Sequence, residues 1–238
     1  VSLNSKNCDL TRSDSLLKFN NLAYDQVYHL AAWTQAGDFC LYHPGEQWIM
    51  NQKMNTNVLD SARFNSVNNL VYTSSIGAYE NNEIFKEDEY NIASQPMDFA
   101  GWAKRLAELQ IYSYKKQYGL KGYKIVRPSN VYGPGDNYHP SHSHVMAALI
   151  RRFTEAVRNG TGEVTCWGSG SPRREFLHVD DLADAVVFCL EKWCYNPKNN
   201  EPAFLNVGTG SDISIKELAE CIAASTGFEG KIQWDTDK

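Results

Sequence analysis

From Arg127 to Phe153 the chain reads RPSNVYGPGDNYHPSHSHVMAALIRRF. Asn130, Asp136, Asn137, His139, His142 and His144 crowd into this one stretch, and Arg151 and Arg152 follow one to two helical turns later. An imidazole exchanges protons near neutral pH, and a planar guanidinium binds phosphate oxygens bidentately. Acid/base work beside a phosphorylated ligand is therefore within reach of these residue types. By composition alone the same stretch is also an ordinary surface loop with clustered histidines. A second polar set lies in WGSGSPRREFLHVDD, where Arg173 and Arg174 follow a glycine-rich turn; Arg173 reads as a solvated surface charge.

The elements that must position these residues alternate between extended and helical patterns. Tyr123, Ile125 and Val126 form an apolar approach after Gly119. Gly133, Pro134, Gly135 and Pro140 make a turn-rich middle, and a helix follows with Val145, Ala148, Leu149 and Phe153 on one stripe. Strand, loop and helix in that order put the loop at the carboxyl end of a strand, where open α/β sheets bind ligands. Upstream, Gln26 to Ala32 (QVYHLAA) reads as a strand ending in small residues that let a flat ligand approach the backbone. Gln47 to Ser61 has helical spacing and carries Asn51, Asn55 and Asn57, poor helix formers whose presence asks for a reason. Asn69 to Ser75 reads as a strand with a polar end, Thr73-Ser74-Ser75, and DFAGWAKRLAELQIYSYKKQYG as a helix. A helix is expected from Ser13, with Asp9 before it in a position to cap. Downstream, an Asp180-capped helix, a strand over Leu205 to Val207 and a helix from a Ser214/Glu217 capping box to about Ala224 complete the pattern.

Length and charge bound the answer. The 238 residues suit one large domain or two interleaved ones. A net charge of -5 argues against a nucleic-acid partner without excluding a nucleotide ligand. The six cysteines, Cys8, Cys40, Cys166, Cys189, Cys194 and Cys221, show neither paired nor metal-like spacing. They read as reduced thiols of a cytoplasmic protein, and no metal is expected. No apolar run approaches membrane-spanning length, and no signal peptide is expected.

The HPSHSHV and WGSGSPRREFLHVDD wording resembles the extended short-chain dehydrogenase/reductase family (NAD-dependent epimerases and dehydratases), in its GDP-L-fucose synthase branch. The resemblance implies a Rossmann-type doubly wound parallel sheet with a smaller α/β substrate-binding portion. Residues 1–132 would form the dinucleotide-binding domain. Residues 133–238 would mainly bind the nucleotide sugar, with returning Rossmann elements around 175–210. The family opens with a strand, a glycine-rich turn and a helix, and no such turn precedes Asp9. The expectation is that the sequence in hand lacks that βα unit, and also a C-terminal part of the substrate domain, because relatives continue past Asp235.

The family's functional residues carry over position by position. Asp9 and Leu10 would lie over the adenine, Leu30, Ala31 and Ala32 would contact the cofactor, and Asn57 matches an asparagine behind the active site. Ser75 matches the catalytic serine that holds the sugar C4 oxygen, and Lys104 the lysine that orients the nicotinamide ribose. The tyrosine expected one turn before that lysine is Ala100, which cannot exchange a proton. The cysteine expected two residues after the serine, a base for epimerisation, is Gly77. Pro128, Asn130 and Val131 would line nicotinamide and sugar, and His144 would be the acid of epimerisation. Trp167 stands in the loop that frames the GDP-sugar, while Arg152 and Arg174 would hold its diphosphate.

The function implied is NADP(H)- or NAD(H)-dependent conversion at C4 of a GDP-linked keto sugar, with Gly77 favouring reduction without epimerisation. A nucleotide-sugar 4-epimerase or dehydratase with tightly bound NAD is an alternative. A catalytically silent GDP-sugar binder is another, favoured by Ala100. A homodimer is expected through helices near Gln47 to Phe64 and Lys104 to Tyr118.

Overall fold

The computed structural model describes residues 1–34, 39, 42–194, 196 and 203–237. The chain divides into two compact units. One comprises residues 1–34, 40–129 and 181–207, the other residues 35–39, 130–180 and 208–238.

The first unit is built on a parallel sheet in the order β1-β2-β3-β8, from β1 (Gln26–His29), β2 (Asn69–Thr73), β3 (Gly122–Pro128) and β8 (Leu205–Val207). Strand alternation sends neighbouring side chains to opposite faces. Leu70, Tyr72, Tyr123 and Ile125 meet Leu59 and Ala62 of helix α1 (Pro44–Phe64) and Ala107 and Ile111 of helix α2 (Phe99–Tyr118). Val71 and Val126 instead meet Val186, Cys189 and Leu190 of helix α4 (Val179–Glu191). Both faces are thus covered, as parallel sheets require, and β2 and β3 read as apolar runs for that reason. Lys124 is one of two buried charges on β3, with Arg127: its ammonium donates to the carbonyls of Cys189 and Leu190 in the last turn of α4.

Local signals set the helix ends. Asp98 caps α2 by accepting from the Gly101 N–H at 2.7 Å, and Gly119 closes it in the left-handed region at φ 70°. α1 begins at Pro44, earlier than the spacing from Gln47 suggests, because proline is accepted in a first helical turn.

Three expectations need correction. The strand expected to reach Ala32 stops at His29, where its ladder to β2 ends at Tyr72; Leu30, Ala31 and Ala32 follow as irregular backbone. The helix from Ser13 is a 3₁₀ helix, Ser13–Phe19, whose N-cap is Arg12. Asp9 does not cap it, since its carboxylate is taken by the N–H and hydroxyl of Thr11. Asp180 lies inside the first turn of α4 rather than at its cap, because the helix begins at Val179.

The second unit packs helix α3 (Val145–Asn159) and helix α5 (Ile215–Thr226) against the parallel pair β5 (Glu163–Trp167) and β10 (Lys231–Asp235). The buried stripe of α3 is Ala147, Leu149, Phe153 and Ala156. Val145 of the expected stripe is exposed, being the first helical residue. Ser214 and Glu217 form the expected capping box, and α5 continues to Thr226. Two small ladders complete the unit: β4 (Asn130–Tyr132) lies parallel to β7 (Phe176–His178), and β6 (Arg173–Arg174) antiparallel to β9 (Ile213–Ser214). Gly170, at φ 75°, must be glycine: a Cβ there would stand 2.8 Å from the Trp234 ring.

Candidate active site

In the first unit the polar residues gather where β2 runs out. Ser75 is in extended backbone (φ −161°, ψ 154°) and caps a 3₁₀ turn, Ile76–Ala78, by accepting from the Gly77 N–H at 3.1 Å. The start of α2 lies against this turn, because a Cβ on Gly101 would fall 1.9 Å from the Gly77 carbonyl oxygen. Only glycine permits that approach. It sets Ala100 and Lys104, one helical turn apart on one face, next to the segment that carries Ser75.

Lys104 donates from Nζ to the main-chain carbonyl of Thr73 at 2.8 Å, and its ammonium lies 5.2 Å from the centroid of the Tyr72 ring. Burial lowers its pKa from 10.5 to about 8, against the pull of the Glu108 carboxylate in the other direction. Lys104 is thus brought together with the end of β2. No hydroxyl stands at residue 100 to work with it. Tyr79 does not fill that role: its hydroxyl donates to Asn206 Oδ1 at 2.9 Å, and its ring packs among Phe85, Tyr90 and Phe204.

The three asparagines of α1 have separate tasks. Asn51 bonds both the N–H and the carbonyl of Trp33, which holds the segment after β1. Asn55 pairs with His29 at 2.9 Å and donates to the Tyr72 hydroxyl. Asn57 donates to the Leu10 carbonyl at 2.9 Å, so two expected cofactor residues are in direct contact. Near them, Asp9 keeps an exposed carboxylate whose pKa is lowered, chiefly by the Thr11 hydroxyl. Leu30 is exposed, Ala31 and Ala32 are half-buried, and Pro128 is buried at the end of β3.

In the second unit, Asn130 and Val131 stand on β4, and the Asn130 amide donates to the Glu175 carbonyl at 2.9 Å. His144 occupies the N-cap of α3, exposed and making no side-chain cap bond. The Arg152 guanidinium stacks 4.4 Å from the centroid of the Trp167 ring and donates to the Thr165 carbonyl at 3.0 Å. Two expected substrate residues are thereby assembled, with Trp167 still 51% exposed. Arg174 is exposed on β6, where its guanidinium donates to the neighbouring Arg173 carbonyl at 2.7 Å. Arg173 is not a freely solvated charge, because Asp212 at 2.8 Å and Glu217 at 3.4 Å hold it.

Sequence reasoning missed three buried groups. His29 is 2% exposed, and burial, then the Lys104 charge, lower its pKa to about 4. Glu108 and Arg127 form an ion pair with both side chains enclosed. An arginine at the end of the apolar run YKIV, and a glutamate one turn after Lys104, were the available signals.

The chain matches the family model "NAD dependent epimerase/dehydratase family" over residues 2–208. It is 38% identical over 236 residues to the probable GDP-L-fucose synthase 1 of Oryza sativa subsp. japonica, covering 97% of this chain and 70% of that protein. To the GDP-L-fucose synthase of Escherichia coli (strain K12) it is 37% identical over 224 residues, covering 90% of this chain and 68% of the other. Among solved structures it resembles the GDP-mannoheptose C4 reductase of Campylobacter jejuni with NADP bound, with a TM-score of 0.86 at 26% identity, over 99% of this chain and 78% of that one.

Proposed function

The chain belongs to the NAD dependent epimerase/dehydratase family, and on that premise we propose that it is a nicotinamide-dependent reductase acting at C4 of a GDP-linked keto sugar. The observation that carries this reading is the joint placement of Ser75 and Lys104, one on the turn after β2 and the other bonded to the last residue of β2. The likeness to GDP-L-fucose synthases supports GDP as the nucleotide.

The residues present fit an NADP or NAD cofactor. Thr73 takes one of the three donors of the Lys104 ammonium, the Asp9 carboxylate is exposed toward solvent, and Leu30 to Ala32 offer open backbone beyond β1. Lys104 would hold the nicotinamide ribose, Asp9 would accept from the adenine amino group with Leu10 under the ring, and Asn57 steadies Leu10 through its carbonyl. When bound, the reduced cofactor supplies the hydride for C4. The Ser75 hydroxyl donates to the C4 carbonyl oxygen and stabilises the charge that develops there. Pro128, Asn130 and Val131 line the sugar side. Arg152, ordered by Trp167 and Thr165, and Arg174 bind the diphosphate. In this reading residues 1–132 serve the cofactor and 133–238 mainly the nucleotide sugar.

Gly77 favours reduction without epimerisation, since a glycine cannot take a proton. Ala100 favours a slow enzyme or, as a second reading, a GDP-sugar binder without turnover. No described helix is long and apolar enough to cross a membrane, and the reading places the protein in the cytoplasm. A homodimer through α1 and α2 is part of the proposal, supported by the exposed Ile49, Phe64 and Tyr118 on those helices; light scattering tests it.

Calorimetric titration with NADPH, GDP and UDP tests the ligand classes. The expected result is binding of NADPH and a preference for GDP over UDP. Equal affinity for both nucleotides, or none for NADPH, overturns the assignment.

A further inference from the structure

We propose that Glu108 is the positioning residue of this site, fixing the direction of the Ser75 hydroxyl through Ser74 and setting a carboxylate one helical turn from Lys104 on the same helix face. The inference rests on the reductase reading for its kinetic part and on geometry for the rest.

The Glu108 carboxylate accepts from Ser74 Oγ at 2.5 Å, from Arg127 Nε at 2.9 Å and from Arg127 Nη2 at 2.5 Å. Glu108 is 2% exposed, Arg127 0% and Ser74 3%, so these bonds are made away from water. The guanidinium is further enclosed by the rings of Tyr79, Tyr90 and Phe204, with centroids at 4.4, 4.2 and 3.7 Å. A charge pair this enclosed is rigid, because any displacement leaves an uncompensated ion in a medium of low dielectric.

Its connections point at the site. The Ser74 N–H bonds the Val126 carbonyl while its hydroxyl turns to Glu108. In extended backbone the next side chain turns the other way, so anchoring Ser74 aims Ser75 away from Glu108. Lys104, one turn earlier on the same helix face, grips the Thr73 carbonyl. Helix α2 therefore holds two consecutive residues of the strand end, one by a cation and one by an anion. The groups facing Lys104 are Glu108 on its own helix, His29 on β1 and Tyr72 on β2. His29 is neutral at pH 7 and Tyr72 has its pKa pushed up by burial. Glu108 is then the one anion acting on Lys104 among these groups, and it raises the Lys104 pKa.

The test uses the chain labelled with 13Cε-lysine, with the Lys104 resonance identified by its loss in Lys104→Met. In Glu108→Gln the Lys104 titration midpoint is expected to fall by roughly one unit. In Ser74→Ala, which keeps the carboxylate, it should stay in place while kcat for carbonyl reduction, measured in the Ala100→Tyr background, drops roughly tenfold with KM unchanged. A folded Glu108→Gln protein with an unmoved Lys104 midpoint overturns the charge role. A Ser74→Ala protein with the kcat of its parent overturns the positioning role. Should Glu108→Gln fail to fold because Arg127 is left unpaired, the double variant E108Q/R127Q removes both charges and carries the same readout. If no form turns over even with tyrosine at residue 100, the reductase reading fails, and the Lys104 titration still decides the charge role of Glu108.

Discussion

The ammonium of Lys104 donates to the carbonyl of Thr73 at 2.8 Å, two residues before Ser75. One hydrogen bond thus joins the helix that carries Lys104 to the strand end that leads into Ser75. Burial lowers the Lys104 pKa to about 8, so the charge is present below that pH and lost above it. NADPH affinity is expected to fall as pH rises through 8, and fluorescence titrations from pH 7 to pH 9.5 on the wild type should show it. In Lys104→Met the same series should be flat.

Gly77 is not forced by space. A Cβ there would meet Ser75 Oγ at 3.5 Å and the Gly101 Cα at 3.8 Å, both ordinary contacts. Gly77→Cys is therefore expected to fold and to place a thiol beside Ser75. Incubated in D2O with a GDP-4-keto sugar, this variant should introduce deuterium next to the carbonyl, and the parent should not. Mass spectrometry reads the difference directly.

His29 couples stability to pH. Its folded pKa is depressed to about 4 from 6.5, so the unfolded chain binds more protons between those values and stability is lost as pH falls through that window. The loss from pH 7 to pH 5 is expected to be about 2 kcal/mol from this residue. Urea melts of wild type and His29→Gln at the two pH values test it. The variant should lose correspondingly less on acidification.

The stacked pair Arg152 and Trp167 should matter for nucleotide affinity in unequal measure. Arg152→Ala removes a charged donor to phosphate and is expected to weaken GDP binding roughly tenfold to a hundredfold. Trp167→Ala removes the ring that orders the guanidinium and should cost less, on the order of 1 kcal/mol. Equal affinities across the series, measured by calorimetry, would remove both from the binding site.

Much of this fold was legible because its signals are local. The Ser214/Glu217 box and the strand and helix periods are read from neighbouring residues. Other features depend on partners distant in sequence. β10 takes its identity from pairing with β5, which no local pattern announces. The QVYHLAA run looks like a longer strand than it is because Leu30 to Ala32 are apolar, yet the ladder stops at His29. Among candidate site residues, Ser75, Lys104 and Asn57 could be nominated from family wording. Glu108 and Arg127 could not, since only tertiary packing shows that a helix glutamate and a strand arginine share one enclosed space.

The most direct test of the account is turnover of NADPH with GDP-4-keto-6-deoxymannose by the chain as it stands and by Ala100→Tyr. Oxidation is expected to be slow or absent with alanine, and about a hundredfold to ten-thousandfold faster once a phenol stands one turn before Lys104, with a reduced GDP-sugar as product. No turnover in the tyrosine variant, under conditions where NADPH and GDP both bind, would contradict the reductase reading and leave a nucleotide-sugar binder.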